Sequence, residues 1–324
     1  MQRSFYHFIA AILLAFSAAS CSDDNNSAIL QNDCIKRSIG PSLVGGDIEF
    51  AYAMALPREA GKIVSASVEA SIQGAPETWL EHRSYYFEPD GSKDVGVTIG
   101  NPSTNSGAKT EVIFTVDTCA ATLRYYYRAP EESRGKEVSF VFSATASNGE
   151  TVSYSMGPYT VSRMDMKLDM AVSDNNLCFV SLEDMTVYDA TGAAANAGKI
   201  DLVYLYRSIS GITFAHALVS PGANPEYLPT VTLPSGVSRV SKIRKVWNLN
   251  DRHLARRQEG VFVDDLDFIE LNMDGMPDYA LNLVAQAGVW VESQDGRYRA
   301  YIYFNSVNNS SRSAVVSMKR YRMN

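Results

Sequence analysis

Apolar and polar residues alternate with a period of two along most of this chain. Ile48, Phe50, Tyr52 and Met54 are separated by smaller or polar residues, and Val64, Ala66, Val68, Ala70 and Ile72 are separated by Ser65, Ser67, Glu69 and Ser71. Successive side chains of a strand point to opposite faces, so this pattern marks half-buried strands. It recurs at Val95-Val97-Ile99, Val112-Phe114-Val116 and Leu123-Tyr125-Tyr127. Val138, Phe140, Phe142 and Ala144 lead to Asn148-Gly149, and Val152, Tyr154 and Met156 lead away from it. Asn-Gly between two alternating runs is the strongest short hairpin signal, because both residues tolerate positive φ. The spacing predicts seven or eight short strands in roughly 120 residues and an immunoglobulin-like antiparallel β-sandwich over 34–163.

The second half opens on Met164, Met166, Leu168 and Met170, another alternating run. Lys199 to Tyr206 is almost continuously apolar, as expected of a central strand, and the alanine-rich stretch from Ala190 predicts a short helix ended by Gly198. Pro221, Pro225, Pro229 and Pro234 predict a long loop, and Asn250 to Arg257 a capped helical turn or two. Strands follow at 279–285, 289–292, 298–304 and 314–321, with Asp295-Gly296 turning between two of them. The fold class is therefore all-β: two tandem β-sandwich domains, the second (164–324) larger and carrying short helical insertions. No period of 20–50 residues repeats, which excludes solenoids and propellers.

The first residues break the pattern. Arg3 precedes an apolar run from Phe8 to Phe16, then Ser17, Ala18, Ala19, Ser20 and Cys21. A positive start, a short apolar core and a small-residue exit predict a signal peptide over 1–20. The run is shorter than the ~20 residues a membrane-spanning helix needs. Cys21 is the expected lipidation site, although Ala18 stands where lipoboxes usually carry Leu. Ser22, Asp23 and Asp24 then begin a polar tether over 21–33 and form the expected export signal. The sequence Cys-Ser-Asp-Asp resembles the tether of Bacteroidota lipoproteins, which implies a lipid anchor in the outer membrane and display at the cell surface.

Charge and cysteine content narrow the function. A net charge of −7 gives no electrostatic case for nucleic-acid binding. Beyond Cys21 the chain has Cys34, Cys119 and Cys178, without Cys-x-x-Cys spacing, and its four histidines are scattered. Cys34 and Cys119, in one expected domain, could pair as a disulfide; Cys178 reads as a small buried hydrophobe.

Val44-Gly45-Gly46-Asp47-Ile48-Glu49-Phe50-Ala51-Tyr52-Ala53-Met54-Ala55 and Lys199-Ile200-Asp201-Leu202-Val203-Tyr204 resemble segments of a family of Bacteroidota surface lipoproteins of unknown function. The second run is also similar to outer domains of surface lipoproteins from glycan-uptake systems. The resemblance implies two β domains and surface display, and no activity.

Candidate chemistry is sparse. Glu270, Asn272, Asp274 and Asp278 around Gly275 resemble a calcium loop, but position one is Glu rather than Asp and position twelve is Leu281, so a polar turn between two strands is the favoured reading. Asp264, Asp265, Asp267 and Glu270 form an acidic cluster that reads as a solvated face or a set of caps rather than a glycosidase pair. No Gly-x-Ser-x-Gly elbow or phosphate loop occurs. Neither catalytic residues nor a cofactor are expected. The basic set Arg239, Lys242, Arg244, Lys245, Arg252, Arg256 and Arg257 is expected to be neutralised by the acids of 264–278, the alternative being a patch for an anionic glycan or a protein. Tyrosine is abundant, and Trp79, Tyr85, Tyr86 and Trp290 are the candidates for stacking on sugar rings. The expected function is a non-enzymatic outer-membrane lipoprotein that binds a glycan or a protein, the alternative being a structural or adhesive subunit with no soluble ligand.

Overall fold

The structure, a computed structural model, describes residues 29–89, 91–209 and 212–323. The signal peptide, Cys21, Ser22, Asp23 and Asp24 lie outside them. Through the first half run β1 (Gln31–Lys36), β2 (Asp47–Ala55), β3 (Ile63–Ala70), β4 (Trp79–Leu80), β5 (Arg83–Phe87), β6 (Asp94–Thr98), β7 (Thr104–Ser106), β8 (Lys109–Ile113), β9 (Ala120–Arg128), β10 (Glu137–Ala146) and β11 (Thr151–Thr160). They pair in one sheet as β1-β2-β9-β4 and in a second as β11-β10-β3-β8-β7, while β5 and β6 form a separate hairpin. Asn148-Gly149 makes the β10–β11 turn, with Gly149 at φ 88°. The alternation does what it predicts: Ile48, Phe50, Tyr52 and Met54 of β2, Leu123, Tyr125 and Tyr127 of β9, and Phe140 and Phe142 of β10 close one core between the two sheets. Phe50, Phe140 and Phe142 meet at ring-centroid distances of 4.8–6.5 Å.

Residues 31–33, expected in the tether, belong to β1. The Asn32 amide donates to the Tyr52 hydroxyl at 2.9 Å, and Cys34 is buried in the core.

The second half contains β12 (Asp165–Ser173), β13 (Phe179–Ser181), β14 (Thr186–Tyr188), β15 (Leu202–Ile209), β16 (Ile212–Val219), β17 (Lys242–Trp247), β18 (Tyr279–Leu283), β19 (Ala287–Glu292), β20 (Tyr298–Asn308) and β21 (Ser313–Arg322). Three short helices accompany them among the described residues: α1 (Ala190–Ala195), α2 (Arg252–Ala255) and α3 (Asp265–Glu270). The sheets are β12-β21-β20-β19-β17 and β14-β13-β15-β16-β18, with a core of aliphatic residues between them. The protein is thus an all-β, multi-domain fold. Helix α1 begins where the Asp189 carboxylate accepts from Gly192 N, and it ends at Ala195, before the expected Gly198, because a 3-10 turn occupies 197–199.

Strand β12 departs from simple alternation. A bulge between Lys167 and Met170, with Asp169 at φ 53°, inserts an extra residue and turns the strand over. Met164 and Leu168 therefore join one cluster, Met170 and Val172 another, and Met166 is exposed. The Met164 cluster lies on the outer face of the β12–β17 sheet. There Trp290, Tyr301, Tyr303 and Tyr321 are covered by Leu254, Val263, Phe268 and Met273 from the segment 249–276. Leu43 of the first half joins this cluster. The Ser162 hydroxyl and Arg163 N both donate to the Asp265 carboxylate, tying the linker to α3. Beneath the cover a fully buried Lys319 bonds Asp251 at 2.6 Å and the Val263 carbonyl at 2.8 Å. The other Asp251 contacts hold Leu254 N and Val263 N.

Candidate functional site

Among the described residues, the outer face of the β1-β2-β9-β4 sheet has no such cover. On β2 the residues alternating with the core set are Ala51, Ala53 and Ala55, and β9 presents Ala120, Thr122 and Arg124 beside them. The register aligns three rows across the strands: Gln31-Ala55-Ala120, Asp33-Ala53-Thr122 and Ile35-Ala51-Arg124. Alanine stands at the centre of all three rows, and the third ends on the charged Arg124. The β5–β6 hairpin rises beside this floor, pinned by the Ser84 hydroxyl, which accepts from Thr122 N at 3.0 Å. The result is an open groove of about 600 Å³, floored by Ala53, Ala55 and Ala120 and walled by Tyr85 and Tyr86.

The wall is held from behind. The Tyr85 ring lies 3.8 Å from the Arg124 guanidinium, and its hydroxyl donates to Glu81 at 3.1 Å. Glu81 is buried and receives Arg83 through two bonds of 3.0 and 2.7 Å. Burial pushes the Glu81 carboxyl up, but the bonds from Arg83 and Tyr85 outweigh it and hold it below the ordinary range. Arg124 is also bonded to Asp94 of β6. Opposite Tyr85 in the hairpin stands Gly96, where a Cβ would come within 2.9 Å of the Tyr85 ring, so glycine is what lets the ring lie across the strand. Tyr86 is half exposed, at 52%. Farther along the same sheet Trp79 stacks on Tyr126, with centroids 4.7 Å apart and planes 8° apart, and its other face is open.

The structure thus brings Tyr85 and Tyr86 together and places Trp79 on the same side of the domain. Trp290 is not a stacking platform: it is 5% exposed, wedged between Phe268 and Tyr301 under the cover. The sequence pattern shows an aromatic on one strand face but not what covers that face.

The Cys34–Cys119 disulfide does not form; both are free, as is Cys178. Cys34 stands opposite Tyr52, whereas Cys119 immediately precedes Ala120, which stands opposite Ala55. Counting strand rise and strand spacing, their backbones are roughly 16 Å apart, against about 7 Å for a disulfide. Burial pushes the Cys34 thiol up to about 12.

The calcium-like loop is a turn. Asn272 accepts from Asp274 N at 2.8 Å, Gly275 takes φ 67°, and Glu270, Asp274 and Asp278 do not converge. The acidic cluster is a set of caps: Asp264 and Asp267 form a capping box on α3, and Asp265 holds the linker. The basic set is not neutralised by these acids. Arg239 pairs with Asp201 and Asp295, Lys242 with Glu292 and Arg256 with Asp169, while Lys245 donates to the Leu281 and Asn282 carbonyls. Strand pairing brings these partners in from distant sequence.

Sequence reasoning missed the alanine floor. Its signal was the Ala51-Ala53-Ala55 series, small residues at the last three outward positions of a strand whose inward positions are large.

Residues 27–161 match a family model described as a domain of unknown function (DUF4466), and residues 162–323 match a second domain of unknown function (DUF8576). The crystal structure of a DUF4466 family protein from Parabacteroides merdae is 44% identical, with a TM-score of 0.84 over 91% of this chain and 99% of that chain. Self-complemented MyfA, the major subunit of Myf fimbriae from Yersinia enterocolitica, in complex with galactose, is 11% identical over 41% of this chain and 98% of that chain, at TM-score 0.23. The major pilin subunit BcpA of Bacillus cereus is 10% identical over 60% of each chain, at TM-score 0.29. Likeness at the level of these last two carries no argument. No curated protein matches the chain.

Proposed function

We propose that this chain, which belongs to the DUF4466 family of domains of unknown function, is a lipid-anchored protein of the bacterial outer surface that binds carbohydrate in the groove of its first domain without catalysing a reaction. The observation that carries this reading is the groove itself: an open sheet face with a small-residue floor and a tyrosine wall fixed by Glu81 and Arg124. Sugar rings have apolar faces that stack on aromatic rings, and their hydroxyls need nearby polar partners. Tyr86 offers the first, and Asp33, Gln31 and Thr122 at the groove offer the second. Its volume lies within the usual range of small-ligand sites, about 300–1,000 Å³. The lining includes a single carboxylate, Asp33, whereas glycosidic hydrolysis ordinarily uses two.

Glycan-array binding by the full chain tests the reading. A defined set of bound glycans, lost in Tyr86→Ala and retained in Trp290→Phe, is the expected result. Binding to no glycan, with self-association instead, would favour the structural-subunit alternative. For the anchor, Cys21→Ala is expected to move the protein from the membrane to the soluble fraction; an unmodified wild-type mass would contradict it.

A further inference from the structure

The groove's lining is distinctive in charge as well as shape. Asp33 is the only formally charged residue among its lining. It is fixed in place, since its Oδ1 accepts from Cys34 N at 2.8 Å and the Tyr154 hydroxyl hydrogen-bonds to it. Among the described residues Asp33 forms no salt bridge. The arginines behind the tyrosine wall are engaged elsewhere: Arg124 with Asp94 and the Tyr85 ring, and Arg83 with Glu81. A carboxylate without a cation beside it repels an acidic ligand but accepts well from hydroxyls. The floor has a definite extent. Three strands at strand spacing and the two lining rows, Gln31-Ala55-Ala120 and Asp33-Ala53-Thr122, at strand rise give about 10 Å by 7 Å, room for one or two sugar rings.

We propose that the groove takes one or two rings of an uncharged saccharide, with Tyr86 stacking on one ring and Asp33 accepting from hydroxyls while excluding uronic and sulfated sugars. This rests on the reading of the groove as a carbohydrate site. The two rows run from the hairpin beside β9 to the β1 edge, so the ligand lies across the strands with Tyr86 at one end and Asp33 at the other.

Calorimetric titration of the full chain distinguishes the two levels of the claim. The probes are neutral oligomers of glucose, mannose and N-acetylglucosamine with one to six rings, and oligogalacturonates of the same lengths. At least one neutral series should gain affinity up to two rings and less than twofold beyond. Oligogalacturonates of equal length should bind at least tenfold more weakly. Asp33→Lys should close that gap by tenfold or more, with Asp33→Asn between; Asp33 is exposed, and circular dichroism checks that both variants keep the fold. Equal binding of neutral and acidic chains, or a gap indifferent to Asp33→Lys, would overturn the charge inference. If acidic chains bind and Tyr86→Ala abolishes that binding, the charge inference fails while the groove reading stands. If neither series binds, both fail.

Discussion

The two domains each turn one sheet face outward, and the two faces meet opposite fates. In the second domain Trp290, Tyr301, Tyr303 and Tyr321 lie under α2, α3 and the loops around them, and become a third layer of core. In the first domain the corresponding face carries alanines, with Tyr86 exposed and Trp79 stacked on Tyr126 at its margins. The faces differ in bulk at their centres and in the segment 249–276, for which the first domain has no counterpart among the described residues. Covering a sheet face turns aromatics into stability, and leaving it bare with a small-residue floor turns them into a surface that can bind.

That contrast can be broken at several points. The largest effect is expected at Lys319, whose ammonium is pulled down by burial against the opposing pull of Asp251. Lys319→Met leaves Asp251 buried without its cation, which costs about 3–5 kcal/mol. Urea unfolding should show this loss, and a change below ~1 kcal/mol would mean that the cover does not depend on the pair. Next come the two tryptophans. Trp290→Ala removes a buried ring and should cost about 3 kcal/mol, whereas the half-open Trp79→Ala should cost under about 1 kcal/mol. Equal costs would erase the distinction between the faces.

A smaller effect is expected behind the groove wall. Glu81→Gln removes the charge that holds Arg83 and Tyr85, and should cost about 1–2 kcal/mol while weakening ligand binding through a loosened Tyr85. Unchanged ligand affinity would show that the wall holds without Glu81. The smallest concerns pH. Burial, outweighing Arg239, raises the Asp201 carboxyl to about 6. Its folded value lies above the unfolded one, so it contributes stability that is present below about pH 4 and lost as pH rises through 6. Between pH 7 and pH 5 this group should add roughly 1 kcal/mol to the wild type. The buried His216 and His253 act in the opposite sense, because burial lowers both, and their contribution is lost as pH falls below 6.5. Asp201→Asn should therefore lose stability more steeply than wild type on acidification over this range. Parallel profiles would contradict the assignment.

Strand existence was legible because burial on one face imposes alternation, as at Ile48-Phe50-Tyr52-Met54, and turn chemistry marked Asn148-Gly149 and Asp295-Gly296. The capped helical turn at 250–257 was legible too, since Asp251 is both its cap and the Lys319 partner. What alternation cannot carry is the identity of the neighbour on each face. Trp290 and Tyr86 look alike in sequence, and only the packing of residues 249–276 on the former separates them. The β12 bulge was hidden for a related reason, since Met164, Met166, Leu168 and Met170 alternate cleanly while Asp169 takes a left-handed backbone that no local signal announces. The groove was half legible: its tyrosines stood out, but its floor is an absence of bulk, visible only once β1, β2 and β9 are set side by side.

Hydrogen–deuterium exchange of the full chain, with and without the oligosaccharide it binds best, tests the central claim most directly. Protection is expected in peptides covering 31–33, 53–55, 84–86 and 120–122, with the second domain unchanged. Protection in the second domain with those groove peptides unaffected would contradict the assignment of the bare sheet face as the binding surface.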